Sequence, residues 1–231
     1  LSKGYINEIF ASVQGEGQYL GARQVFVRLA GCSLGCGYCD TDFGVSSRVD
    51  VFGAVLMNPA EPSVLYELVS KACPKEEFHS VSFTGGEPLE QPAFLAESAV
   101  LFKNSGWTTF LETSGCVTEG LAELRDIFDI FSIDIKMCRQ DWREHLKNLL
   151  PVLKYIDNKY YLKLIFDDKN SGGEFRELAR ILKSAGISRI FAQAVDNHAN
   201  YVRIENLQKT TQKEGVTVFY RPQIHKFVGM R

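Results

Sequence analysis

Three cysteines, Cys32, Cys36 and Cys39, stand in the spacing C-x₃-C-x₂-C, and no fourth cysteine lies close by. Thiolates are soft ligands that suit zinc or iron–sulfur clusters. Structural zinc usually joins two short cysteine or histidine hooks. Here one three-membered hook stands alone, and His79, His145, His198 and His225 form no hook with a neighbour. A [4Fe–4S] cube suits the pattern better, because each of its four irons wants one external ligand. Three cysteines then leave one iron with an open coordination position, which is what a catalytic metal site needs. Gly31, Gly35 and Gly37 let the backbone curl around such a cube. The scattered Cys73, Cys116 and Cys138 read as small buried apolar residues.

The elements that must position this loop are legible as an alternation. Strand-like stretches cover 25–29, 79–83, 107–113, 129–136, 160–166, 188–195 and 216–220. Helix-like stretches cover 62–72, 92–106, 118–127, about 141–156, 173–186 and 200–215. Such alternation implies parallel βαβ units in one α/β domain over 1–231. The stretch 44–61 has no clear periodicity and reads as a loop or small insertion beside the site. Four polar signals, "TGGEP" (84–88), "ETSG" (112–115), "DIK" (134–136) and "AQAVDN" (192–197), fall at or just past the C-terminal ends of predicted strands. In parallel α/β folds that edge binds ligands.

Bulk properties narrow the function classes. The 231 residues are 45% apolar and 23% charged, with a net charge of −2. A nucleic-acid binder usually carries a basic surplus, so that class is disfavoured. No apolar run is long enough for a bilayer, and "LSKGYINEIF" lacks the pattern of a signal peptide. The expectation is a cytoplasmic protein without membrane or nucleic-acid partners. In a reducing compartment, clustered cysteines point to metal or catalysis more than to disulfides.

C-x₃-C-x₂-C with an aromatic residue, Tyr38, before the last cysteine resembles the signature of the radical S-adenosylmethionine enzymes. The resemblance implies a full or partial (β/α) barrel, here about six parallel strands with helices outside. It also implies that S-adenosylmethionine chelates the open iron and is cleaved to a hydrogen-abstracting 5′-deoxyadenosyl radical. "TGGEP" resembles the superfamily's glycine-glycine-glutamate motif; its bland reading is a Gly-rich turn closed by proline. Within the superfamily, "NEIFASVQGEGQYLGARQVFVRLAGC" (7–32) followed by "GYCDT" (37–41) is similar to the 7-carboxy-7-deazaguanine synthase family. The likeness returns at "SFTGGEP", "ETSG", "DIK" and "QIHKFVG". It implies ring contraction of 6-carboxy-5,6,7,8-tetrahydropterin with loss of ammonia, on the way to queuosine and related deazapurines. It further implies Mg²⁺, a flavodoxin or ferredoxin as electron donor, and a homodimer.

Residue roles follow from the same likeness. Cys32, Cys36 and Cys39 would hold the cluster and Thr41 the Mg²⁺, a hard ion that prefers oxygen. Val13, Gln14, Gly15, Glu16, Arg28, Thr84 and His225 would meet the substrate. Gly85, Gly86, Glu87, Asp134, Ile135, Lys136, Gln193, Ala194, Val195 and Asp196 would meet the cofactor. No catalytic side chain beyond cluster and cofactor is expected. Chemistry supports some of these assignments independently. Gln14 offers a donor and an acceptor to a flat heterocycle edge. The Arg28 fork fits a carboxylate, although a lone arginine in a strand is usually an edge charge or ion pair. Thr41 reads equally as a turn cap, and Lys136 as a solvated strand end. "DIK" departs from the family's usual "SPK", and "QAVD" from its "QPMD". Two rivals stay open: an activase of glycyl-radical enzymes, which needs a protein substrate, and a non-enzymatic metal-binding module.

Overall fold

In a computed structural model, residues 2–39, 44–195 and 200–229 are described. The chain builds one eight-stranded sheet in the order β1 (Ile6–Val13), β2 (Arg23–Leu29), β5 (Ser80–Gly85), β6 (Thr109–Thr113), β7 (Ile130–Lys136), β8 (Tyr160–Phe166), β9 (Arg189–Ala194) and β10 (Thr217–Tyr220). Strand β1 runs antiparallel to β2, and every later pairing is parallel. The parallel part therefore holds seven strands, one for each strand-like stretch of the sequence, where the family resemblance implied about six. Helices α1 (Pro62–Ala72), α2 (Pro92–Asn104), α3 (Trp142–Leu153), α4 (Gly172–Ser184) and α5 (Tyr201–Lys213) return the chain between strands, and α6 (Ile224–Val228) follows β10. Helix α4 begins with a capping box in which Ser171 and Glu174 each satisfy the other's backbone N–H. Among the described residues, no helix is long and apolar enough to cross a membrane.

Two expectations need correction, and one strand was not foreseen. The stretch 44–61 is not an irregular loop: it contains the antiparallel hairpin β3 (Arg48–Val51) and β4 (Ala54–Met57). Val49, Val51 and Leu56 are buried while their neighbours face out, so the alternation is real but only two or three residues long. Segment 6–13 is a full strand. It shows one face to the core through Ile6 and Ile9, and it pairs with β2 almost throughout. The helix expected over 118–127 is reduced to a 3₁₀ turn, Glu123–Asp126. Its one buried residue is Leu124, and Leu121 is buried just before the turn.

Side chains alternate along each strand, and this alternation positions the site. Val25, Val27, Leu29, Phe83, Leu111, Phe131, Ile133, Leu162, Leu164, Phe166 and Ile190 point outward into the main core under the helices. Many of that core's aromatics, including Phe83, Phe102, Phe128, Phe131 and Phe175, are fully buried. Each such side chain contributes roughly 1.5–3 kcal/mol. Among the described residues the concave face carries a small separate cluster, Phe110, Ile130, Tyr161 and Phe191, with Tyr19 against it. With hydrophobic stabilisation concentrated outside, the rest of the concave face can be polar.

Candidate active site

The cysteine loop leaves β2 and is pinned at its start by the end of β5. Gly86 N donates to Leu29 O at 2.9 Å, and Glu87 N donates to Gly31 O at 3.0 Å. A Cβ on Gly86 would stand 1.6 Å from Gly31 O, and one on Gly85 would stand 2.3 Å from Leu29 O. Gly85 also has φ +125°. Both glycines are thus required by backbone-to-backbone approach, and Gly85 also by its conformation. The Glu87 carboxylate turns inward: it accepts from Leu89 N at 3.1 Å, Thr113 Oγ1 at 2.8 Å and Ser114 N at 2.8 Å. Burial pushes that carboxyl up, against these hydrogen bonds.

All three cysteines are free and line one cavity of about 110 Å³, together with Gly85, Gly86 and Ser114. Among the described residues, no three His, Cys, Asp or Glu side chains close on a single ion. Thiols spread around a hollow, with bare glycine backbone opposite, fit a multi-iron cluster.

This hollow is continuous with a larger cavity of about 230 Å³; Tyr38, Cys39, Thr84, Glu112, Asp134 and Lys136 line both. The larger cavity is walled by concave-face positions. Phe10 and Phe26 stack at 5.1 Å, with Arg28 beyond them. Arg28 Nε bonds Glu8 Oε1 at 2.6 Å, and its guanidinium stands 5.6 Å from the Phe10 ring centre. Opposite lies a chain of alternating charges. Lys136 Nζ meets Asp134 Oδ2 at 2.7 Å; Lys163 Nζ meets Asp134 Oδ1 at 3.3 Å and Glu16 Oε2 at 2.6 Å. Gln223 Nε2 donates to Glu16 Oε1 at 2.6 Å. Gln14 Nε2 donates to Gln24 Oε1 at 3.1 Å and to Glu112, and Gln14 Oε1 accepts from Glu16 N at 3.1 Å.

Burial and pairing set the charge states. Burial alone would raise the Glu16 carboxyl, but Lys163 and the amides around it bring it down to about 2. Burial disfavours the Lys163 cation, yet Asp134, Glu16 and Glu112 hold it well above the ordinary lysine range. Burial likewise opposes the Lys136 cation, and Asp134 more than reverses this. Glu112 differs: burial pushes its carboxyl up, and Lys163 offsets only part of the shift. The cavity wall therefore holds two lysines kept as cations and a Glu16 carboxylate kept as an anion, while the Glu112 carboxyl is shifted the other way by its burial.

Most residues singled out in the sequence converge here. Val13, Gln14, Gly15, Glu16, Arg28, Thr84, Asp134, Lys136, Gln193, Ala194 and Val195 line the larger cavity. Glu87 and Ile135 line neither of these two cavities: Glu87 braces the loop from inside, and Ile135 belongs to the main core. Thr41, Asp196 and the His225 side chain lie outside the described residues. Gln14 and Glu16 use their polar atoms on one another's neighbours and on Lys163, so they order the wall. Lys163 was not anticipated, while Glu112 and Gln223 open the quoted stretches "ETSG" and "QIHKFVG" but were given no role of their own. Lys163 had a signal, being the one charge inside the apolar run "YYLKLIF". The pairing of Gln223 with Glu16 had no local signal, because the two are 207 positions apart.

Comparison with known proteins agrees with this geometry. The radical SAM superfamily profile matches residues 27–196. The 7-carboxy-7-deazaguanine synthase of Methanocaldococcus jannaschii is 31% identical over 97% of this chain and 99% of its own length. That of Archaeoglobus fulgidus is 30% identical over 97% of each. The crystal structure of QueE from Escherichia coli superposes with a TM-score of 0.60 over 94% of this chain and 93% of that one, at 18% identity. This last likeness is one of fold. The chain belongs to the radical SAM superfamily and, within it, to the 7-carboxy-7-deazaguanine synthase family.

Proposed function

We propose that this chain is a 7-carboxy-7-deazaguanine synthase that contracts the ring of 6-carboxy-5,6,7,8-tetrahydropterin and releases ammonia. The observation that carries the reading is the pair of joined cavities, with three thiols at one end and a charge-balanced polar wall at the other. A volume of about 230 Å³ suits a small bicyclic molecule and not a polypeptide loop, which disfavours the activase reading. Bound on the three thiolates, a [4Fe–4S] cluster with S-adenosylmethionine supplies the 5′-deoxyadenosyl radical chemistry of the superfamily.

The chain's own residues bind, orient and neutralise. Cys32, Cys36 and Cys39 hold the cluster. The bare backbone of Gly85 and Gly86 admits the cofactor's methionine end, and Lys136 with Asp134 stands where both ligands would meet. Gln193, Ala194 and Val195 line the far side, and Asp196 continues that segment. Arg28 takes the substrate carboxylate in its planar fork, with Phe10 and Phe26 as an apolar face for the ring. Thr84 and Glu112 offer a hydroxyl and a carboxyl at the seam between the cavities. Glu16, Gln14 and Lys163 hold the wall that the ring rests against, Val13 and Gly15 complete it, and His225 meets the substrate on the strength of the family likeness. Thr41 binds Mg²⁺ with substrate oxygens and water, a weak site completed by substrate. A flavodoxin or ferredoxin serves as reductant, the chain works in the cytoplasm as a homodimer of single-domain subunits, and the product enters queuosine or related deazapurine synthesis.

The test is anaerobic incubation with reductant, S-adenosylmethionine and the carboxy-tetrahydropterin, followed by chromatography for the deazaguanine product and ammonia. Cleavage of S-adenosylmethionine without product would reject the substrate assignment and keep the superfamily chemistry. Absence of both would reject the enzyme reading.

A further inference from the structure

The sequence gives no role to Arg139, Asp141, His145 or Cys116, yet these four form a continuous chain that ends on the cysteine loop. Arg139 follows Lys136 in the turn after β7, with its N–H on Lys136 O at 3.1 Å. Its Nη1 donates to Leu34 O at 2.9 Å and approaches Cys36 Sγ at 3.8 Å. Its other edge is fixed: Nε and Nη2 donate to the two oxygens of Asp141 at 2.9 and 2.8 Å. Asp141 Oδ2 also meets His145 Nε2 at 3.3 Å, and His145 Nδ1 meets Cys116 Sγ at 3.2 Å.

Cys116 lies two residues from Ser114, whose hydroxyl accepts from Cys116 N at 3.1 Å. Ser114 N in turn donates to Glu87, and Glu87 N donates to Gly31 O at 3.0 Å. The cysteine loop is thus held at both ends of a ring of contacts: Gly31 at one end through Glu87, Leu34 and Cys36 at the other through Arg139. Between residues 33 and 39 the loop has one backbone–backbone hydrogen bond of its own among the described residues, Cys39 N to Cys36 O. A loop with so little internal support takes its shape from outside partners. A guanidinium whose second edge is already locked by a carboxylate loses little further freedom on holding it.

We propose that Arg139 is a positioning residue for the cluster loop: its locked fork fixes the Leu34–Cys36 arm and places a cation beside one thiolate of the cluster site. The inference rests on the reading of the three cysteines as an iron–sulfur site. Hydrogen bonds and charge near cluster sulfurs tune its potential. A nearby cation favours the more negative, reduced cluster, so its removal shifts the potential down.

The test uses Arg139→Gln and Arg139→Lys in the full chain. Without iron, hydrogen–deuterium exchange of the peptide covering 33–39 should rise several-fold in both variants while the strands keep their protection. After reconstitution, Arg139→Gln should give a midpoint potential below wild type in an EPR-monitored titration, and Arg139→Lys should restore it. Wild-type exchange in Arg139→Gln, or full restoration of protection by lysine, overturns the positioning role. A rise spread evenly over all strands overturns it too, by making Arg139 a general fold contact. Failure of the wild-type chain to take up iron would sink the cluster reading instead, and the iron-free exchange data would still judge the arginine.

Discussion

Where the cysteine loop leaves its strand, the fixing contacts are backbone to backbone. Gly86 N reaches Leu29 O, Glu87 N reaches Gly31 O, and two absent side chains make the approach feasible. At the other end of the joined cavities they are side chain to side chain: Lys163 to Glu16 and Asp134, Gln223 to Glu16, Gln14 to Gln24 and Glu112. The first kind of contact has no charge to titrate and tolerates almost no added atom. The second is charge-balanced, so it responds to pH and to the loss of any one partner. One end is suited to holding a cofactor of fixed shape, and the other to meeting a polar substrate.

Four substitutions would break or sharpen this contrast, in descending order of effect. Cys36→Ala removes a thiol from the smaller cavity and should cut bound iron and S-adenosylmethionine cleavage by more than about 100-fold while leaving the thermal midpoint nearly unchanged. Iron content and cleavage at wild-type levels would remove the ligand role.

Lys163→Met leaves the Glu16 and Asp134 carboxylates buried beside an apolar side chain and should cost about 3–5 kcal/mol at pH 7. The pH dependence has a definite sign. Glu16 is held at about 2 in the folded protein, so its stabilisation is complete above the unfolded carboxylate value of about 4.3. That stabilisation is lost as pH falls through the folded value. The variant lacks this pairing, so the gap between the two proteins should narrow from pH 7 to pH 3. Urea unfolding midpoints that differ equally at both pH values would contradict the pairing.

Gly86→Ala pushes a methyl group into the Gly31 carbonyl and should cost about 3 kcal/mol. Because no charge is involved, that loss should be the same at pH 7 and pH 4; a loss that shrinks with acid would argue against the backbone account. Arg28→Ala should weaken carboxy-pterin binding by roughly 10- to 100-fold, the worth of a charge-assisted hydrogen bond. Uncoupled cleavage of S-adenosylmethionine should persist. Calorimetry showing unchanged substrate affinity would take the arginine out of the site.

Much of the frame was readable in advance because periodicity is local. Helix α1 and strand β8 have the bounds that pattern alone gives, 62–72 and 160–166. Local signals failed where elements were short or bordered on motifs. The β3–β4 hairpin has four-residue strands, and β1 lay within a stretch valued for its motif. The cysteine end was equally readable, since C-x₃-C-x₂-C and Gly-Gly are contiguous requirements for ligand spacing and close approach.

By itself the sequence determined which side chains alternate on each strand, where the helices return, and that three thiols share one loop, because each depends on neighbours a few positions apart. Only the tertiary structure decided that Lys163 stands between Glu16 and Asp134, that Gln223 closes on Glu16, and that Arg139 reaches back to Leu34. Those pairs join residues up to 207 positions apart. Their strength comes from attraction and hydrogen bonding in a site screened from water, which must offset the cost of taking charge out of water, and that environment is set by the assembled sheet and by no segment of it alone.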